Sequence, residues 1–371
     1  MISFGLTEEQ ELVRDAMREF GAQVLRAAAR DADETESVPD AVLDQTWELG
    51  LLSTQLPESV GGQGEARSPV TNVIALEALA YGDPALAIAA TQPASFAFPI
   101  LDQGTEDQKK RYLPLFCGDK FHAAALAFVE PTPVFDVATV KTSAEPKGDT
   151  FLLSGTKNFV PLGDRSSHFL VIARNTASAD EGAAALDAFI VASDAKGVVV
   201  SAQEKNLGMR ALPTHTVSLE NVEVAAADRL GGEEGCDVSQ IVANARTGLA
   251  ATMVGLSHAV MDYAVPYAKE RKAFGEFIAQ KQAIAFMLSD MAVEIDATRW
   301  LTWKAASQLE QGLDPVKAAH QARAYAAEQT MKIADNGLQV LGGHGYIREH
   351  PVELWYRQAR TLSVLEGVAS L

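Results

Sequence analysis

A block of short, β-branched runs interrupts a chain that is otherwise patterned for helices, and this interruption limits the fold more than any other feature. FLLSGTKNFV, HFLVIAR, LDAFIVAS, GVVVSA and HTVSLENVEV follow one another with turn residues between them. Runs of this length and composition read as strands. No helical crossover separates them, which predicts an antiparallel sheet. On the N-terminal side, residues 1–117 carry helical spacing. TEEQ at 7–10 is a capping box, followed by Leu12, Val13, Met17, Phe20 and Val24 on one face. Pro39 and Asp40 open a further helix, and LPESVGGQG is a glycine-rich loop. From about residue 237 long helical patterns return, with alanine and glycine at the short intervals that let helices pack closely. The expected fold is α+β in three parts: a helical domain over 1–119, a β domain over 120–232 and a helical bundle over 233–371.

Of the 371 residues, 47% are hydrophobic and 22% charged, as in an ordinary globular chain. The net charge of −18 opposes nonspecific binding to nucleic acid or an anionic membrane surface. The apolar stretch near 73–101 is interrupted by Glu77, Asp83 and Pro84, which argues against a membrane span. Cys117 and Cys236 supply neither a zinc motif nor a disulfide framework. MISFGLTEEQEL has no basic segment followed by an apolar run, so no secretory signal is read and a cytoplasmic location is expected.

The chain has no glycine fingerprint after a strand and no phosphate-binding P-loop. Its seven histidines form no pair at metal-binding spacing, so no metal is expected. GGQG at 61–64 reads first as a turn or helix cap, and GGHG at 342–345 taken alone has the same reading. Arg246 reads as an ordinary helix-start arginine or a site residue; Arg271, Gln282 and Gln339 read as solvated helix residues when taken singly. Glu366, in TLSVLEGVASL, is either a solvated residue on a frayed end or a carboxylate held in a pocket. Partial desolvation among apolar neighbours would make it a stronger base.

The order of several segments resembles the acyl-CoA dehydrogenase family. LPESVGGQG, GTEDQKKRYLPLFCGDK, Glu130-Pro131 with Asp136, GTKNFV, NLGMRALPT, ENVEV, ERKAFG, the Gln282 site, Gln339 with LGGHGY, and Glu366-Gly367 occur in the family's order. The resemblance implies an N-terminal helical domain, a middle β domain and a C-terminal four-helix bundle. It implies FAD held between the β domain and the bundle, partly by a neighbouring subunit, in a dimer of dimers. It further implies α,β-dehydrogenation of an acyl-CoA in fatty acid metabolism, with electrons passed to an electron-transfer flavoprotein.

Residue by residue, Glu366 matches the base that takes the α-proton, its backbone N–H helping to hold the thioester oxygen, and Arg246 an active-site arginine near the substrate. Arg271 resembles the arginine that meets the FAD pyrophosphate across the subunit interface, and Phe274 an aromatic near the flavin. Gln282 and Gln339 match amides contacting the adenosine and pyrophosphate portion; Gly342 and Gly343 would let the backbone approach the same phosphates. Phe159 takes the place of a flavin-stacking tryptophan. Val129 replaces a threonine that bonds the flavin ring, Pro161 replaces another, Phe135 replaces a substrate-binding serine, and VASL follows Glu366-Gly367 where a threonine and a glutamine would help bind FAD. These departures keep two alternatives open: a same-fold flavoenzyme acting on another, for instance carrier-bound, substrate, and a flavin-poor, non-catalytic subunit of a heteromeric dehydrogenase.

Overall fold

A computed structural model describes residues 5–133 and 135–370; the first four residues, Val134 of VEPTPVFD and Leu371 of VASL lie outside them. The N-terminal part comprises α1 (Glu8–Phe20), α2 (Arg26–Thr35), α3 (Asp40–Trp47), α4 (Pro69–Ala80), α5 (Pro84–Thr91), α6 (Ala94–Gln103) and α7 (Glu106–Tyr112). The capping box at the start of α1 forms as its residues predict. Thr7 Oγ1 accepts from the Gln10 N–H at 3.2 Å, and Gln10 Oε1 accepts from the Thr7 N–H at 3.1 Å. LPESVGGQG makes a 3₁₀ turn, Glu58–Val60, ended by Gly61 at φ +96°.

Most of α4 and all of α5 but its last residue are buried, which explains the apolar stretch around them. Its polar residues are partnered inside the protein. Glu77 accepts from Arg299 Nε at 3.0 Å, and Asp83 accepts from the Leu86 N–H at 2.9 Å and from Gln358 Nε2 at 2.6 Å. Among the described residues no single helix is long and apolar enough to cross a membrane.

The middle part is one sheet of β1 (Ala125–Ala127), β2 (Ser143–Lys147), β3 (Thr150–Pro161), β4 (His168–Asn175), β5 (Leu186–Ala192), β6 (Val198–Gln203) and β7 (Thr214–Ala225). The strand order is β1-β4-β2-β3-β7-β6, with β5 also on β4. Hairpin-type pairs β2–β3, β4–β5 and β6–β7, and the pair β3–β7, are antiparallel, but β1 and β2 both pair with β4 in parallel. The sheet is therefore mixed rather than purely antiparallel. A parallel pair needs a crossover, and here strands supply it: β2 and β3 carry the chain from β1 to β4, and β3 carries it from β2 to β4. In β3 the register with β7 slips between Lys157 and Val160, and Phe159 in the slip has φ +53°.

The C-terminal part begins with α8 (Val238–Glu270). A hairpin of β8 (Lys272–Ala273) and β9 (Glu276–Phe277) leads to α9 (Gln282–Glu310), α10 (Val316–Leu341) and α11 (Val352–Leu362). α8 is the central helix, packed on α4, α9, α10 and α11. Gly255 makes that approach fit: a Cβ there would stand 2.2 Å from the Glu77 carbonyl of α4.

His258 of α8 sits in this contact, its Nε2 accepting from Arg299 Nη2 at 2.6 Å. Burial, reinforced by the Arg299 and Arg18 charges, pushes its pKa down to about 3. The native state thus keeps His258 neutral, whereas the unfolded chain protonates it near pH ~6.5. Stability is full above that pH and is lost as pH falls from ~6.5 towards 3. His258→Gln should flatten this part of the stability profile in urea titrations run at successive pH values; an unchanged acid slope would contradict the placement.

Candidate active site

The β-domain side of the site is set by one buried ion pair. Glu130 follows β1 and accepts from Lys157 Nζ at 2.9 Å, the Lys141 N–H at 2.7 Å, the Thr142 N–H at 2.8 Å and Thr142 Oγ1 at 2.6 Å. Burial alone would raise the Glu130 pKa, but the Lys157 charge and the Thr142 hydrogen bonds outweigh it and hold it below the ordinary range. Lys157 Nζ also donates to the Phe128 carbonyl at 3.1 Å, and the Asn158 N–H to the Val129 carbonyl at 2.9 Å. The exit from β1 is thereby tied to the bulge in β3. Val129, which is buried, and Phe159 lie on the two joined segments. The Phe159 N–H points at the Glu204 carboxylate, 3.2 and 3.3 Å from its oxygens. Its ring packs against both the core that joins the N-terminal helices to the bundle and the core that joins the β domain to the N-terminal helices and the start of α8.

The bundle side is carried by the segment after α11. Gly367–Ser370 is buried, so the frayed-end reading of Glu366 does not hold. Two glycines make room for the segment. A Cβ on Gly248 of α8 would stand 3.0 Å from the Ser370 nitrogen. Gly367, at φ +71°, lies under Phe128, where a Cβ would stand 3.0 Å from the ring. Phe128 in turn meets Phe135 edge to face, ring centroids 4.8 Å apart. Glu366-Gly367 thus arrives beside the strand exit that carries Val129.

Glu366 is not an isolated carboxylate in apolar surroundings. Arg246 Nε of α8 donates to its Oε2 at 3.2 Å, and Arg323 Nε of α10 stands 3.2 Å from Oε1. The side chains of Arg246, Arg323 and Glu366 are 16%, 17% and 15% exposed, so the charges meet in a half-closed pocket. Arg323 was missed in the sequence. The signal for it was a charge on a stripe of small buried residues, Ala319, Ala322 and Ala326. Two cavities are lined by residues of this region. Arg246 borders one of about 110 Å³ with Val137, Ser239, Val242 and Val316. Ser370, four residues beyond Glu366, borders a mainly apolar one of about 50 Å³ with Trp47, Leu79 and Phe98.

The remaining candidates gather elsewhere. Arg271, Phe274, Gln282, Gln339, Gly342 and Gly343 are all exposed, at the other end of the bundle. Arg271 caps α8, and its carbonyl accepts from the Ile278 N–H at 2.9 Å to close the hairpin. Phe274 and Gly275 form the hairpin tip with φ +56° and +87°, and Phe274 is 95% exposed. Tyr267 of α8 bonds His344 Nδ1 at 2.7 Å, which sets the Gly342–Gly343 turn beside the end of α8. Gln282 opens α9 and Gln339 lies in the last turn of α10. Arg246 and Arg271 lie on one continuous helix, ~38 Å apart at ~1.5 Å per residue.

Three family models match in this order: the acyl-CoA dehydrogenase N-terminal domain over residues 7–119, the middle domain over 125–222 and the C-terminal domain over 236–370. The chain belongs to the acyl-CoA dehydrogenase family. Among its relatives in this family, the 3-(aryl)acrylate reductase of Clostridium sporogenes is 33% identical over 369 residues, covering 98% of this chain and 96% of the relative. The CarC subunit of the caffeyl-CoA reductase-Etf complex of Acetobacterium woodii is 32% identical over 375 residues, with coverage of 98% and 96%. The butyryl-CoA dehydrogenase structure from Megasphaera elsdenii superposes with a TM-score of 0.88 at 28% identity, covering 99% of this chain and 96% of that one. The protein is an oxidoreductase of this family.

Removing one partner of a buried ion pair leaves the other charge uncompensated. Lys157→Met should therefore destabilise the protein by about 3–5 kcal/mol, read as a lower urea midpoint at pH 7. A loss under about 1 kcal/mol, the scale of a surface pair, would contradict the role given to Glu130 and Lys157.

Proposed function

We propose that this chain dehydrogenates an acyl-CoA thioester between its α and β carbons, with Glu366 as the base that takes the α-proton. The observation that carries the proposal is Glu366 itself: a carboxylate next to a buried segment, paired with two arginines, one of which borders a cavity, and followed by Gly367 under Phe128. For the base to act, the Arg246 hydrogen bond has to yield to the substrate. The Glu366 backbone N–H then serves as a donor to the thioester oxygen, where enolate-like charge develops. Run in reverse, Glu366 in its protonated form returns that proton to the α-carbon of an α,β-unsaturated thioester, which agrees with the relative in a caffeyl-CoA reductase complex.

The cofactor in this reading is FAD, which when bound supplies the hydride acceptor. The exposed end of the bundle fits its adenosine and pyrophosphate portion. Arg271 offers a permanent charge, Gln282 and Gln339 offer amide donors, and a Cβ on Gly342 or Gly343 would meet nothing within 4 Å, so the backbone there is open to close approach. The ring end fits through apolar contact: Val129 and Phe159 supply surface, while Val129 and Pro161 supply no side-chain donor. A separation of ~38 Å between Arg246 and Arg271 is too long for both to touch one extended FAD from a single chain. We therefore assign Arg271 to a cofactor seated in a neighbouring subunit, within a dimer of dimers. Phe274, exposed in a left-handed turn, is a residue such a neighbour would bury. Phe286, Val293 and Trp300, exposed at seven-residue spacing on α9, give the neighbour a further apolar stripe. An electron-transfer flavoprotein is the proposed electron partner, on the strength of the relative in an Etf complex.

The loss of hydroxyl donors at the ring end favours a second reading, in which this chain completes the site of a flavin-bearing paralogue. The two separate on colour: the first predicts a yellow purified protein bleached anaerobically by a saturated acyl-CoA, the second a colourless one active only with its partner. Butyryl-CoA and 3-phenylpropanoyl-CoA are the first acyl-CoAs to titrate.

Under the first reading, Glu366→Gln should bind FAD and acyl-CoA as the parent does but reduce flavin ~10²–10⁴-fold more slowly in stopped flow. Reduction at the parent rate would remove Glu366 from the mechanism. Arg271→Ala should weaken FAD binding ~10–150-fold, the worth of one charge-assisted hydrogen bond, with the β domain still folded. Flavin retained through gel filtration as in the parent would contradict the assignment.

A further inference from the structure

Glu366 has two cationic neighbours, and they are anchored differently. Arg246 projects from the middle of α8, borders the 110 Å³ cavity and touches the carboxylate through one hydrogen bond. Arg323 comes from α10 and grips the segment that bears Glu366. Its Nη2 donates to the Leu365 carbonyl at 2.8 Å and to the Ser363 carbonyl at 3.2 Å. Those carbonyls lie just beyond α11, outside its own hydrogen-bonding pattern, so their donors come from elsewhere. The Arg323 Nε is buried and lies 3.2 Å from Glu366 Oε1, yet it is not aligned for a hydrogen bond. One guanidinium therefore fixes the backbone on either side of Leu365 and holds a spare donor next to the carboxylate.

We infer that Arg323 is a positioning residue for Glu366: it is the permanent counter-ion that stays beside the carboxylate and keeps its segment in place, while Arg246 is the exchangeable one. The inference rests on Glu366 being the base. When a substrate enters from the cavity side and takes over Arg246, the carboxylate turns towards the free Arg323 Nε. It does not lose all charge compensation at the step that requires it ionised. The permanent charge suits this task because a guanidinium does not titrate in the working range. Arg246 from α8 and Arg323 from α10 are the charged groups paired with Glu366.

The test is exchange of the acyl-CoA α-proton with deuterated solvent, followed by mass spectrometry of butyryl-CoA and 3-phenylpropanoyl-CoA incubated at graded concentrations with the holoenzyme. Exchange reports proton removal without flavin reduction. Arg323→Met should slow the plateau rate ~10–100-fold, as for a misplaced catalytic group. The half-saturating acyl-CoA concentration should stay within about threefold of the parent's, because the loss lies in placing the base and not in binding the substrate. Arg323→Lys keeps the charge, but a single ammonium cannot hold both carbonyls and the carboxylate, so the loss should remain. Exchange at the parent rate in Arg323→Met or in Arg323→Lys, or a loss made good by more acyl-CoA, would overturn the inference; the lysine variant keeps the test decisive where the methionine variant fails to fold. Exchange persisting in Glu366→Gln, or absent from the parent, would instead overturn the base assignment and take the inference with it.

Discussion

A carboxylate between two guanidiniums is the contact on which the C-terminal half is organised. Glu366 draws Arg246 from α8 and Arg323 from α10 to one point. Burying any one of these charges alone would cost several kcal/mol, so each makes the others tolerable. The pairing also explains why the segment after α11 is buried rather than loose. Arg323 satisfies the carbonyls of Ser363 and Leu365, Gly248 admits the backbone against α8, and Gly367 seats it under Phe128.

The β domain presents a matching hub. Glu130 and Lys157 join the end of β1 to the bulge in β3, and every Glu130 hydrogen bond fixes a stretch of backbone or a neighbouring strand. The two hubs face each other across the Phe128–Gly367 contact. Rigid charged centres on each side hold an apolar seam, Val129 and Phe159 among it, in which chemistry at an acyl chain would be shielded from water. The permanence of this geometry matters more to the proposed base than its intrinsic strength, because a general base works only within hydrogen-bond reach of its proton.

What could be read from the sequence followed the range of the interactions. The Thr7–Gln10 capping box is local and formed as its residues implied. The helical blocks around a strand block are set by periodicity, which the sequence carries openly. The mixed sheet was not legible, because the parallel pairing of β4 with β1 and β2 depends on strands serving as crossovers, and no run of residues declares that. Glu366 was ambiguous from its neighbours alone; the ordered resemblance drew it out. Its partners across α8 and α10 are 120 and 43 residues away in sequence, and the charge of Arg323 on an alanine stripe was the only local trace of the second. The split of the candidates between two ends of α8 likewise emerged only with the length of that helix.

The arrangement makes a geometric claim that one structure can test directly. A crystal structure of the protein with FAD and a non-reactive acyl-CoA analogue would place the thioester. The account predicts the α-carbon ~3–3.5 Å from a Glu366 oxygen, with Arg246 released and Arg323 still bound to the Ser363 and Leu365 carbonyls. An analogue bound in the cleft with Glu366 still closed on Arg246 and its α-carbon out of reach would contradict it.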